Sequence, residues 1–146
     1  MNRIEKAVKI FDKGSNCSQS ILVSYADCVG IDHELAHSMG SGLGGGLGRK
    51  QYICGAVNAG ALLLSMKYGN NHPGKSDKKE ESYKQVYAFI CKMEENLGNL
   101  NCSSLINIDI STDEGKNKAI SMGLFKEICP GCIRAVATYL DTFLDT

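Results

Sequence analysis

An all-α fold, with one compact multi-helix domain over residues 1–146, is predicted by three observations on this sequence. Apolar residues recur at three-and-four spacing along almost the whole chain. Strand signals are scarce. A length of 146 residues suits a single real core rather than two, and no linker, internal repeat or low-complexity tail divides it.

Residues 2–13 place Ile4, Ala7, Val8 and Phe11 on one face and read as a first helix, broken by Gly14-Ser15-Asn16. A second helix starts there, with Asn16 as cap and Gln19 three residues on, and runs to Cys28 or Val29 before Gly30. Asp32 caps a short helix through about Ser38. Residues 39–50 form a glycine-rich loop that leads into a buried central helix over 53–68, closed by Gly69. A polar loop over 70–79 carries His72-Pro73-Gly74. The next helix runs from about Asp77, a capping-box candidate with Glu80, to Leu97, with Gly98 as its stop. Its core stripe is Tyr83, Val86, Ile90, Met93 and Leu97. Residues 99–111 hold one short turn of helix after Cys102. Ser111 and Glu114 fit a capping box for a helix to about Met122, and the last helix begins near Pro130, a good first-turn residue, and ends at Leu144.

Composition narrows the function. Lys plus Arg and Asp plus Glu number 16 each, so a neutral chain offers no field for a nucleic-acid backbone. The start mixes both charges without an apolar segment and does not read as a signal peptide. The longest apolar stretch, Ile53 to Met66, contains Asn58 and Ser65 and is too short to span a bilayer. The expected address is the cytoplasm, with neither nucleic acid nor membrane as partner.

Seven cysteines are unusual in such a chain. In a reducing compartment they point to metal ligation, redox chemistry or small buried hydrophobes rather than a disulfide framework. Cys28 and Cys91 sit inside or late in helices among apolar neighbours and read as packing residues. The others share a position. Cys17, Cys54, Cys102 and Cys129 each fall at an expected helix start, where free amides and the helix dipole favour the thiolate. The thiolate is the form that attacks disulfides and binds metals. Cys129-Pro130-Gly131-Cys132 adds a CxxC pair able to form a reversible disulfide or hold a metal. A thioredoxin fold is not expected, because no strand precedes the pair.

Two other motifs are misleading. His33-Glu34-Leu35-Ala36-His37 matches HExxH, and Gly40 extends it. A third histidine would fall at Leu43, no acidic residue occurs between Glu34 and Asp77, and the helix stops soon after His37. A zinc peptidase is therefore a distant alternative to a solvated helix face. Gly40, Gly42 and Gly45 satisfy GxGxxG without a preceding strand, and Gly48-Arg49-Lys50-Gln51 fails the phosphate-loop pattern. Close backbone approach near Cys54 is the role expected of these glycines, with Gly44, Gly45, Gly46 and Gly55 as residues that would adjoin anything the sulfur holds.

Taken in order, Asn16-Cys17-Ser18-Gln19-Ser20, Gly44-Gly45-Gly46-Leu47-Gly48-Arg49, Cys54-Gly55-Ala56, Ala59-Gly60-Ala61, Lys67-Tyr68-Gly69, Cys102 and the closing cysteines resemble a family of small redox-active proteins known by the pattern C…GCAxxG…C…C. The likeness covers nearly the whole chain from about Gly14. Here glycine follows the central cysteine instead of preceding it. The resemblance implies that Cys17, Cys54, Cys102 and Cys129 are the functional set, with Cys132 the other candidate for the last place. It also implies electron-transfer company, since a similar module is joined to cytochromes of the split-Soret type. Two chemistries fit: dithiol–disulfide cycling with a redox partner protein that the sequence does not identify, or ligation of an iron–sulfur cluster or zinc by the same four thiols. A helical interaction module with merely buried cysteines is the bland alternative.

Overall fold

The computed structural model describes residues 1–74 and 76–144. Its elements are α1 (Arg3–Asp12), α2 (Cys17–Tyr25) with a 3-10 turn (Ala26–Val29), α3 (His33–Gly40), α4 (Gly44–Leu47), α5 (Gly55–Tyr68), α6 (Ser76–Leu97), α7 (Cys102–Ile106), α8 (Asp113–Ser121) and α9 (Leu124–Phe143). Among the described residues there is no strand, only an isolated antiparallel bridge between Ile53 and Asn101. None of these helices is long and apolar enough to cross a membrane.

The all-α expectation holds, and so do most boundaries. Asn2 caps α1, and Asp32 caps α3 by accepting from the Leu35 N–H. The Asn16–Gln19 capping box forms in both directions, with each side chain bonded to the other's backbone N–H. Gly30 ends the second segment in the left-handed conformation.

Four expectations need correction. First, α9 begins at Leu124 and not near Pro130. Gly123, at φ 70°, turns the chain, and Leu124, Phe125 and Ile128 supply an apolar face before the proline. Pro130 thus lies inside the helix and leaves the Lys126 carbonyl without its usual N–H donor. Second, α8 is capped by the Thr112 hydroxyl, while the Ser111 hydroxyl donates to Asp109. Third, Asp77 lies in the first turn of α6 rather than before it, and the residue preceding that helix is outside the described set. Fourth, Phe89 joins Met93 in the core while Tyr83 is exposed.

Helix α2 is the true centre: all its residues but Val23 are buried, and it packs against α1, α3, α5 and α9. Helix α5 is the other inner helix, packed against α2, α6 and α9. A second, smaller apolar cluster of Cys102, Ile106, Ile110 and Ala119 lies under α7, α8 and α9. Gly60 explains how α5 fits so closely. A Cβ there would stand 2.5 Å from Phe89 Cζ and 3.0 Å from Val136 Cγ1. Gly60→Ala should therefore lower unfolding stability by about 1–3 kcal/mol through overpacking, read as a shift of the urea midpoint at unchanged slope. An unshifted midpoint would show that the ring and valine move aside without cost.

Candidate functional site

Residues 51–54 lie alongside residues 100–103 and are tied to them by backbone bonds. The Cys54 N–H donates to Leu100 O (2.8 Å), the Cys102 N–H to Tyr52 O (2.7 Å) and the Ser103 N–H to Gln51 O (3.1 Å). This pairing sets Cys54 at the cap position of α5 beside Cys102 at the first position of α7. Gln51 extends the clamp. Its buried amide donates to Ile108 O (2.8 Å) and accepts from the Ile110 N–H (3.0 Å). Gln51 escaped sequence reasoning because a polar residue after a glycine loop looks solvated.

Cys17 is supplied by the first position of α2. The Asn16 amide also donates to Gly40 O (3.1 Å) and Ser41 O (3.2 Å), which locks that helix start to the glycine segment. The glycines answer particular neighbours. A Cβ on Gly44 would meet the Asn16 side chain at 2.8 Å, and one on Gly46 the Tyr52 backbone at 2.5 Å. A Cβ on Gly55 would stand 2.8 Å from Cys17 Sγ. Close approach near Cys54 is thus what Gly44, Gly46 and Gly55 provide.

Cys17, Cys54, Cys102, Cys129 and Cys132 all line one cavity of about 530 Å³, and Gly44, Gly45, Gly46 and Gly55 line it too. Its apolar side is made by Leu105, Ile106, Ile110, Ile120, Phe125 and Ile128. Arg49 and Lys116, which the sequence did not single out, supply its charged groups. Every cysteine in the structure is a free thiol. Cys28 is half-buried against the core, away from the cavity, and Cys91 is exposed rather than packed.

The five thiols are not equivalent. Cys54 accepts hydrogen bonds from the Cys132 thiol first, then from Cys17, and also from the Ala56 and Val57 N–H groups at the start of α5. These donors hold its pKa well below the ordinary thiol value in spite of burial. The other four move the opposite way. Cys17 and Cys132 are raised chiefly because they donate to Cys54, with burial adding to the effect. Burial lifts Cys102 to about 11 and Cys129 to about 12, with the Cys54 charge contributing. The expectation that the helix start favours the thiolate at Cys17, Cys54, Cys102 and Cys129 is therefore corrected: of these four, Cys54 alone has its pKa lowered. Cys129 loses its helix-start position altogether, since α9 begins five residues before it. Cys132, one turn further on, is the member of the CxxC pair that bonds Cys54.

The HExxH histidines lie apart from this cavity, in a shallow surface depression with Glu34. His37 Nε2 pairs with the Ser15 hydroxyl (2.9 Å) and Nδ1 with the Gln19 amide (3.3 Å), so both ring nitrogens are engaged in joining α3 to α2. Among the described residues, no group of three or more histidines, cysteines or carboxylates is arranged to hold a metal ion.

Compared with known proteins, residues 15–143 match the family described as "Putative redox-active protein (C_GCAxxG_C_C)". No curated protein and no solved structure matches the chain.

The opposed thiol shifts have a stability consequence. Below the ordinary thiol pKa of 9.0, the unfolded chain holds a Cys54 proton that the folded chain has released. That contribution is complete above 9.0 and fades as pH falls through the depressed folded value. Above 9.0 the unfolded chain releases protons that folded Cys102 and Cys129 keep until about 11 and 12, so their contribution is lost as pH rises through those values. Reduced protein should accordingly show a thiol-dependent stability maximum near pH 9. Urea unfolding of Cys54→Ser against the parent chain should remove the slope on the acid side and lessen the one on the alkaline side, because the Cys54 charge helps to raise its neighbours. A parent profile with no acid-side difference from the variant would place the thiolate elsewhere.

Proposed function

Because the chain belongs to the C_GCAxxG_C_C family of redox-active proteins, we propose that it carries out dithiol–disulfide exchange, with Cys54 as nucleophile and Cys132 as resolving thiol. The observation that supports this is the gathering of five thiols in one cavity, with Cys132 and Cys17 as donors to a buried Cys54 at a helix start.

The steps follow from charge. Cys54 Sγ⁻ attacks one sulfur of a substrate disulfide, forming a mixed disulfide and expelling the first substrate thiolate. Cys54 then no longer carries a charge or accepts the Cys132 thiol proton. The main cause that keeps Cys132 protonated is thereby removed. Cys132 gives its proton to the departing thiolate and attacks Cys54 Sγ. A Cys54–Cys132 disulfide forms and the second substrate thiolate leaves. Two electrons have passed from protein to substrate, and a dithiol reductant reverses the change on the protein. Cys17, the second donor to Cys54, is a positioning residue that favours the attacking thiolate. Cys102 and Cys129 stay protonated and line the same cavity.

Intact-mass analysis tests the assignment. With a small disulfide, Cys132→Ser should accumulate a mixed disulfide on Cys54, Cys54→Ser should lose rapid exchange, and Cys129→Ser should still close the Cys54–Cys132 bond. Exchange by Cys54→Ser at the parent rate would overturn the scheme. So would stoichiometric iron and sulfide in anaerobically isolated protein that are lost in that variant, which would select the cluster instead.

A further inference from the structure

Resting on the exchange chemistry above, we propose that the substrate is a small anionic disulfide with an apolar body, received in the cavity by Arg49 and Lys116. Four observations support this: the depth of the sulfurs, the volume, the charge of the lining and the backbone that places Arg49.

Cys54, Cys17 and Cys132 are 7, 8 and 4 % exposed. A disulfide on the surface of a folded protein cannot bring its sulfur to atoms this deep, whereas a small molecule entering the cavity can. The cavity of about 530 Å³ lies within the range of small-ligand sites, roughly 300–1,000 Å³. Beside its sulfurs the lining carries branched aliphatic and phenyl groups, so the body of the ligand is apolar. Its charged lining residues are Arg49 and Lys116, and among the described residues no carboxylate lines it. Lys116 Nζ lies 4.0 Å from Asp113 Oδ1, but that carboxylate is almost fully in solvent and offsets little of the field within the cavity. Two cations favour anionic groups and oppose cationic ones. They also stabilise the negative charge that develops on the expelled thiolate.

The placement of Arg49 is costly in backbone terms. Gly45, Gly46, Leu47, Gly48 and Arg49 have φ of 66, 67, 71, 60 and 63°, a continuous left-handed turn. Glycine accepts this freely, whereas an L side chain is strained at each such position. Leu47 and Arg49 nevertheless occupy it. The turn is secured by the Gln51 N–H to Gly45 O and the Tyr52 N–H to Gly46 O, both 3.0 Å. A Cβ on Gly45 would stand 2.8 Å from Arg49 Cγ, so the arginine stem lies across that glycine. Strain of this kind next to a reactive group is characteristic of functional positions.

Single-turnover oxidation of the reduced full chain tests the proposal, with three aliphatic disulfides as probes: dithiodipropionate (anionic), hydroxyethyl disulfide (neutral) and cystamine (cationic). The anionic probe should react at least about tenfold faster than the cationic one, with the ratio falling as salt rises. In Arg49→Gln/Lys116→Gln that ratio should collapse by about tenfold, while Arg49→Lys/Lys116→Arg should preserve it. Dithiodibenzoate should half-saturate the protein at lower concentration than dithiodipropionate, and equal half-saturation would remove the apolar requirement. A ratio unchanged in the glutamine variant, or cystamine as the fastest probe of the parent chain, would overturn the anionic substrate. Failure of all three probes to oxidise Cys54 would instead overturn the exchange chemistry itself.

Discussion

The pairing of residues 51–54 with residues 100–103 is the constraint on which the site depends. Three backbone bonds, at 2.7, 2.8 and 3.1 Å, join two segments that carry almost no other regular structure. They set Cys54 and Cys102 beside each other, although nearly fifty residues separate them in sequence. They also fix Gln51, whose side chain holds residues 108–110 and so the approach to α8 and α9. Without the clamp, α5 would still be apolar enough to pack, but its first turn would have no partner across the cavity.

Given that framework, charge decides how the thiols differ. A buried anion is expensive unless donors surround it. Ala56 and Val57 amides, with two thiols, meet that need at one sulfur. A second thiolate beside the first would face both desolvation and like-charge repulsion, so ionising Cys54 keeps Cys17, Cys102, Cys129 and Cys132 protonated. The cluster therefore sets one thiol of lowered pKa among four of raised pKa, and in the proposed exchange the loss of the first charge would remove a cause that suppresses the next. Proximity, and not helix position alone, creates this order.

Much of the fold was legible because it is written in local signals. Asn16 with Gln19, Asp32, Gly30 and the apolar spacing of α1 and α5 all act within one or two turns, and each formed as expected. Pro130 misled because proline favours a first turn, yet Gly123 and the apolar Leu124, Phe125 and Ile128 outweighed it. Tyr83 fits the stripe of α6 as well as Phe89 does by spacing, and the hollow at Gly60 accepts Phe89. The five cysteines expected at the site line one cavity, but how their pKa values differ was not legible. It depends on contacts between α2, α5 and α9, and no local pattern reports those. Gln51, Arg49 and Lys116 were missed for the same reason.

In the proposed exchange, the glycine segment is what lets thiols from different helices come close enough to react. Passing from a hydrogen-bonded thiol pair to an S–S bond of about 2.05 Å requires two sulfurs to close on each other. A side chain on Gly55 would stand in contact with Cys17 Sγ, and one on Gly44 would displace the Asn16 cap that carries Cys17. Either would separate α2 from α5 at the point where their sulfurs meet. A Cβ at Gly46 would do the same to the Tyr52 backbone, which holds Cys102 through its carbonyl. Gly44, Gly46 and Gly55 therefore each act on sulfur geometry, at Cys17 or at Cys102.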